Sequence, residues 1–305
     1  MKQYDVIIIG AGPAGLTTAL YASRGNLNVL ILEKGAPGGK LPSQSKIENW
    51  PGDETIEGAQ LALRMYKHAL KFGASHLYGE VSNIESKGEF EHYVHTTDGD
   101  VYQTKSVVVA TGMVERKPLD IKNFLDFEGR GVSYCVICDG PFYSGKPSVI
   151  IGGGNSAVEE GSFLASIASK VHILVRDGAF NAEKKLIDEL VSKENVEVHF
   201  NTKALELKGD ENGLQEVVAE TEGKTFSIEA SSLFPYIGFL PATKFLANHD
   251  TLNKQGFVVV DQYCESKTKG IYAVGDVREK DIRQIATAVN DGAIVGKILT
   301  NRISS

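Results

Sequence analysis

The apolar positions fall into short, sharply bounded runs separated by glycine and charge. Asp5-Val6-Ile7-Ile8-Ile9 is a β-branched run stopped at once by Gly10, the pattern of a strand buried on both faces of a parallel sheet. Leu16–Arg24 then has helical spacing, and Asn28–Leu32 repeats the strand pattern and ends at Glu33. Gly58–Phe72, with Leu61, Leu63, Met65, Ala69 and Leu70 apolar, predicts an amphipathic helix. Between Leu77 and Val109 short alternating stretches around an Asp98-Gly99 turn predict a small antiparallel meander. The second half restarts the scheme: strand Pro147–Ile151, helix Val158–Ala168, strand Lys170–Val175 and a charged helix Asn181–Val191. Strands near Val196–Phe200, Leu205–Leu207, Gln215–Ala219 and Thr225–Ile228 follow, then Leu233–Gly238, a strand at Ile271–Val274 and a last helix Ile285–Leu299.

Glycines sit at the junctions in a fixed frame. Gly10-Ala11-Gly12-Pro13-Ala14-Gly15 lies between a strand and a helix, the context that G-x-G-x-x-G needs to bind a dinucleotide. Gly10 permits the tight turn, Gly12 lets a pyrophosphate approach the backbone, and Gly15 lets the helix pack on the strand. Phosphates favour the free N–H groups and positive dipole end of such a helix, and Glu33 is placed to accept from ribose hydroxyls. Gly152-Gly153-Gly154-Asn155-Ser156-Ala157 follows Pro147–Ile151 in the same frame, with alanine in the last place. Two copies carry more weight than either alone, so the expectation is α/β with two Rossmann-like dinucleotide-binding domains. Val175 takes the place of Glu33, followed by Arg176 and Asp177. An acid there would favour NAD and arginines would favour NADP, so nucleotide preference stays open.

Composition narrows the class. With 305 residues, two domains fit the length, and 42% hydrophobic with 23% charged residues is ordinary for a globular chain. A formal charge of −7 with no basic stripe speaks against a nucleic-acid partner. No apolar run reaches membrane length, and Gly10 cuts short the only apolar run near the start, so neither a membrane span nor a signal peptide is expected. A cytoplasmic setting follows, where a cysteine pair is more often catalytic than structural. Cys135-Val136-Ile137-Cys138-Asp139-Gly140 is such a pair with an adjoining acid. Zinc would need further ligands, and Cys264 stands alone, so the redox reading leads. Cys264 reads as a packed small hydrophobe. His68, His76, His92, His95, His172, His199 and His249 show no ligand spacing, and no metal is expected.

Taken with Glu48-Asn49-Trp50-Pro51-Gly52, Ala110-Thr111-Gly112, Gly275-Asp276 and Arg283-Gln284, these motifs resemble the low-molecular-weight thioredoxin reductases along nearly the whole chain. The resemblance implies a three-layer ββα FAD domain formed by residues 1–114 and 243–305, into which a pyridine-nucleotide domain, 115–242, is inserted. It implies FAD contacts from Gly10, Gly12, Pro13, Ala14, Gly15 and Glu33, then from Lys40, Leu41, Asn49 and Val81. Ala110, Thr111 and Gly112 would add to these, as would Gly275, Asp276, Arg283, Gln284 and Ile285. Gly152, Gly154, Asn155, Ser156, Ala157 and Arg176 would serve NADPH or NADH. Cys138 would take electrons from the flavin, Cys135 would attack the disulfide of a thioredoxin-like protein, and Asp139 would protonate a leaving thiolate. Hinges would fall near Met113–Lys117 and Leu240–Thr243, and the family is usually a homodimer.

Two departures from the family pattern stand out. Val175, Asp177 and Asn181 occupy places where NADPH enzymes carry His, Arg and a further Arg, which predicts weak NADPH use. Lys40 replaces a glutamine near the flavin, where a cation would either alter the flavin potential or point to solvent, the second being the leading expectation. Alternatives are a reductase driven by reduced ferredoxin, a flavin dithiol oxidase using oxygen, and a non-enzymatic flavoprotein sensor.

Overall fold

The computed structural model describes residues 2–44 and 46–303; residues 1, 304 and 305, which the sequence reading places in the first domain, lie outside them. The chain runs β1 (Gln3–Ile9), α1 (Pro13–Arg24), β2 (Val29–Glu33), α2 (Gly58–Leu70), β3 (Ser75–Tyr78), β4 (Val81–Gly88), β5 (Glu91–Thr96), β6 (Val101–Val109) and β7 (Met113–Glu115). It continues through α3 (Val136–Asp139), β8 (Pro147–Ile151), α4 (Asn155–Ala165), β9 (Lys170–Leu174), α5 (Lys184–Val191) and β10 (Val196–His199). A meander β11 (Thr202–Asp210), β12 (Gly213–Thr221), β13 (Lys224–Glu229) precedes β14 (Ser232–Pro235), β15 (Phe239–Pro241), β16 (Ile271–Ala273) and α6 (Ile285–Ile303). Two compact units result, one of residues 1–114 and 240–305 and the other of 115–239. The crossing segments β7 and β15 pair as a two-stranded ribbon.

In the first unit the sheet order is β3-β2-β1-β6-β5-β4, with β16 also on β6. β6 is long enough to serve both neighbours. Val101–Thr104 pairs antiparallel with β5, and Val107–Val109 pairs parallel with β16. Alternation along the strands divides the core into two layers. Val6, Ile8, Val29, Ile31 and Val108 meet α1 and α6 through Ala14, Ala22, Ala288 and Val295. Ile7, Ile9, Leu30, Leu32, Val107 and Val109 meet Ile84, Val94, Leu246 and Val258 on the other face. The helix layer is thin because it is built from small residues. A Cβ on Gly292 would run into the Ala14 carbonyl oxygen and lie 2.9 Å from Thr17 Cβ, and one on Gly296 would lie 2.6 Å from Tyr21 Cβ.

The second unit repeats the plan in fewer strands. Its parallel sheet is ordered β10-β9-β8-β14, and the meander β11-β12-β13 forms a separate antiparallel sheet. Val171, Ile173 and Val175 pack against α4 through Val158 and Leu164, while Val149 and Leu174 pack against Leu207, Val217 and Ala219 of the meander. This is the expected ββα layering in both units.

Several boundaries differ from the periodic reading. α1 and α4 begin at Pro13 and Asn155, directly on the glycine loops, three residues earlier than the apolar spacing suggests. α5 begins at Lys184, not Asn181, because the preceding backbone is committed elsewhere: Asn181 N–H donates to the Gly153 carbonyl at 2.7 Å. The strand at Ile271 stops at Ala273, where Gly275 (φ 76°) turns the chain, and α6 runs on to Ile303.

The α1–α6 contact has no room for a side chain, so Gly292→Ala should overpack it. The expected cost is about 1–3 kcal/mol, read as a fall of roughly 2–10 °C in the thermal midpoint. An unchanged midpoint would show that the two helices can separate freely.

Candidate active site

The parallel strands β1, β2, β6 and β16 all end at the same edge of the first sheet, so Gly10, Glu33, Ala110 and Gly275 meet there. Sheet order reverses between β1 and β6, the place where open α/β sheets bind ligands. Gly10 (φ 108°) carries the chain from strand to helix, and a Cβ on it would lie 2.5 Å from the Ala110 carbonyl oxygen. A Cβ on Gly15 would strike the Gly10 carbonyl oxygen, whereas one on Gly12 would find nothing nearer than Gly39 Cα at 3.9 Å. The first and third glycines are thus required by the protein itself, and the second leaves room for a guest. The start of α1 has no side-chain cap, so its N–H groups are available to an anion. Glu33 is held beside them, accepting from Ala11 N–H (2.7 Å) and Gly35 N–H (2.9 Å).

The other expected FAD residues of this unit are distributed around the same edge. Leu41, Val81 and Ala110 are buried, Gly112 (φ 61°) accepts from Ala242 N–H at 3.2 Å, and Thr111 Oγ1 donates to the Ala242 carbonyl at 2.8 Å. Asn49 Nδ2 donates to Gln284 Oε1 at 3.1 Å, joining two expected FAD residues far apart in the chain. Gly275 N–H donates to buried Asp291, which also accepts from Arg278 (3.0 Å) and Lys280 (2.9 Å). Burial raises the Asp276 carboxyl, opposed by the charges of Lys280, Lys40 and Arg283. Lys40 is half-buried, and its charge acts on the Asp276 carboxyl. Arg283 lays its guanidinium 4.5 Å from the Phe257 ring centroid, and its buried Nε has no partner among the described residues. An uncapped helix, an open Gly12 and an orphaned Nε fit a bound dinucleotide.

In the second unit, Gly152 (φ 143°) repeats Gly10: its Cβ would strike the Tyr236 carbonyl oxygen, while Gly154 has only Asn181 O at 3.9 Å. Ala157 is buried at the place of Gly15, and α4 starts without a side-chain cap. Asn155 and Ser156 are exposed, Asn155 accepting from Glu183 N–H at 2.8 Å. These features fit a pyrophosphate. Beside them Glu183 Oε1 accepts from Asn155 Nδ2 at 3.2 Å, which places an acid at the loop. Val175 is buried in the core, Arg176 is 86% exposed and ion-paired with Asp177 at 3.6 Å, and Asn181 is tied to the loop.

Cys135 and Cys138 form a disulfide at the start of the four-residue α3. Cys138 is exposed and Cys135 half-buried, and Cys138 N–H donates to the Cys135 sulfur at 3.2 Å. Ser133 links the pair to its acid: its hydroxyl accepts from Cys135 N–H (3.2 Å) and donates to Asp139 Oδ2 (2.5 Å).

The pyridine nucleotide-disulphide oxidoreductase family profile matches residues 4–292. A thioredoxin reductase of Mycoplasmopsis pulmonis is 54% identical over 99% of this chain and 98% of its own. One from Bacillus subtilis is 40% identical over 97% and 93%. The crystal structure of Lactococcus lactis thioredoxin reductase superposes with a TM-score of 0.94 at 37% identity, covering 99% of both chains. The chain belongs to the thioredoxin reductases of this family. It is therefore an oxidoreductase, of a class of flavoproteins that use FAD and NAD(P)H.

A thioredoxin reductase site also draws on residues that sequence reasoning passed over. Ser133 has no signal beyond its nearness to the cysteines. Asp291 looks like one polar position of a helix, although it is buried and organises the Gly275 turn. Glu160 is 7% exposed in α4, with Oε2 unpartnered among the described residues. Burial, and then the charge of Glu159, pushes its carboxyl from 4.5 up to about 7. The unfolded chain releases this proton near pH 4.5 and the folded chain keeps it to about pH 7, so stability is full below the window and falls as pH rises through it. At about 1.4 kcal/mol per unit the loss is of order 3 kcal/mol. Glu160→Gln should flatten that decline and exceed the parent by about 2–3 kcal/mol at pH 8 in urea denaturation, with little difference at pH 4. A parallel decline in both proteins would rule out Glu160 as its source.

Proposed function

We propose that this protein is a thioredoxin-disulfide reductase in which a nicotinamide nucleotide feeds FAD and FAD feeds Cys135–Cys138, with NADPH a poor donor. The observation that carries the donor reading is the second cradle. It keeps Gly152, Gly154 and the uncapped α4 for a pyrophosphate, but sets buried Val175 and the exposed Arg176–Asp177 pair where a 2′-phosphate would need cations. Bound FAD would supply two-electron transfer from the nicotinamide hydride to the disulfide. Gly12, Glu33, Asn49, Asp276, Arg283 and Gln284 would hold it.

The protein's own part of the reaction follows from the cysteine pair. Two electrons and two protons open the disulfide to a dithiol. As thiolate, Cys135 keeps the hydrogen bond from Cys138 N–H, which favours its charged form. It attacks the partner's disulfide, forming a mixed disulfide and expelling a thiolate. Asp139, oriented by Ser133, is the group placed to protonate the leaving thiolate. Cys138 then attacks Cys135 in the mixed disulfide, restoring the internal bond and releasing the second partner thiolate. A thioredoxin-like partner and a homodimer are carried by the resemblance to the family, and a cytoplasmic setting by the sequence pattern; among the described residues no helix is long and apolar enough to cross a membrane.

A second reading, reduction by ferredoxin, is favoured by the same charge-poor cradle and opposed by the preserved glycine loop. Anaerobic titration of the flavoprotein with NADPH, NADH and reduced ferredoxin distinguishes them. NADH should bleach the flavin faster than NADPH. A Michaelis constant for NADPH in the low micromolar range would overturn the donor reading, and bleaching by ferredoxin alone would replace it. Cys135→Ser and Cys138→Ser should each reduce disulfide turnover by a factor of about 10³ or more while leaving flavin bleaching by the donor intact. Retained turnover in either variant would refute the dithiol route.

A further inference from the structure

His172, Glu197 and His199 bring three metal-capable side chains together in the second unit, away from the glycine loop and the cysteine pair in sequence. Their ligand atoms all lie within 4.8 Å of one another. The arrangement is a product of sheet register. Glu197 pairs with His172 across the parallel strands β10 and β9, so both project from the same face, and His199 returns to that face two residues on. His172 Nδ1 is 3.0 Å from His199 Nε2 and 3.8 Å from Glu197 Oε2, and His199 Nε2 is 3.5 Å from Glu197 Oε1. A tetrahedral zinc ion with bonds of about 2.0–2.1 Å holds its ligand atoms about 3.3 Å apart. The His172–His199 edge (3.0 Å) and the His199–Glu197 Oε1 edge (3.5 Å) bracket that spacing.

We propose that His172, Glu197 and His199 form a binding site for a borderline divalent transition ion, zinc foremost, that ties edge strand β10 to β9. The donor set is two imidazoles and one carboxylate, a set that zinc accepts while keeping its fourth position open. The rings are already oriented. They stack with centroids 5.3 Å apart and planes 25° from parallel, and the Phe226 ring lies 5.7 Å from that of His199. Lys170 is the competing cation: its Nζ sits 2.5 Å from Glu197 Oε2. That contact occupies one oxygen and leaves Oε1, the atom nearer His199, to the metal. Glu197 is half-exposed, which gives an ion a path from solvent. The site does not depend on the reading of the electron donor.

The test uses the full-length, FAD-loaded protein without a polyhistidine tag and with Cys135–Cys138 oxidised, so that the thiols cannot supply ligands. Equilibrium dialysis against zinc alone should give one ion per chain with micromolar affinity, and cobalt should give the visible absorption of a tetrahedral site. Zinc should also raise the thermal midpoint. His199→Gln and Glu197→Gln should each weaken binding at least about tenfold, with unchanged circular dichroism showing that they fold. The Cys135→Ser/Cys138→Ser double variant should bind as the parent does. No binding below millimolar zinc, or binding that follows the cysteines and ignores His199→Gln and Glu197→Gln, would overturn the proposal.

Discussion

The first unit is closed by one steric constraint, the backbone approach of α1 and α6. These helices come from opposite ends of the chain, and Gly292 and Gly296 let them lie too close for any larger residue. Because loop closure costs only a slowly growing entropy, a long insertion between them is tolerable once that contact forms. The contact also fixes Gly275 beside Ala14, where a Cβ would be 2.9 Å away. In that way it sets Asp276 at the end of β16 against the glycine loop after β1. Asp291, on the same helix as the two glycines, secures the arrangement by accepting from Gly275 N–H, Arg278 and Lys280. A buried carboxylate with three donors is satisfied. Stripped of them it would be among the more costly groups in the unit.

The same buried cluster decides what Cys264 is. It is fully buried, at positive φ (63°), with the Arg278 guanidinium 3.0 Å from its sulfur. Burial pushes its thiol up to about 11 in spite of that cation, so it stays protonated and unreactive. The exposed Cys138 and half-buried Cys135 share none of this environment. Their backbone donor favours a thiolate at Cys135, and the Ser133–Asp139 pair sets an acid beside them. Reactivity in this chain is allotted by surroundings, and only one pair has the right ones.

The two cradles were legible in the sequence because they depend on residues with no side chain to vary. Gly10 and Gly152 must turn at positive φ, and Gly15 must admit a helix onto a carbonyl, so their identity states their geometry. The ββα layering was legible for a related reason: β-branched runs bounded by glycine have few other ways to be buried. Contacts set by register or by a distant partner were hidden. Neither Asn49 nor Gln284 announces the other, and His172 meets Glu197 only because β9 and β10 align as they do. The start of α5 was misread because the periodic pattern includes Asn181, whose N–H is spent on the Gly153 carbonyl.

This division between backbone-made and side-chain-made sites bears on how the second cradle can be intact and depleted together. A pyrophosphate is held by N–H groups and the helix dipole, which no point substitution outside the glycines removes. A 2′-phosphate is recognised by side chains, and desolvated charge pairs of that kind contribute several kcal/mol. Exposed Arg176 offers little, since a solvated cation beside Asp177 is screened and partly neutralised. On the donor reading proposed above, the backbone part would bind a nicotinamide dinucleotide, and a side-chain part without arginines would give no discrimination in favour of the phosphorylated form. A glycine loop and an arginine cluster are then two independent properties of one site, and the proposed preference for NADH rests on a loop that stands without the cluster.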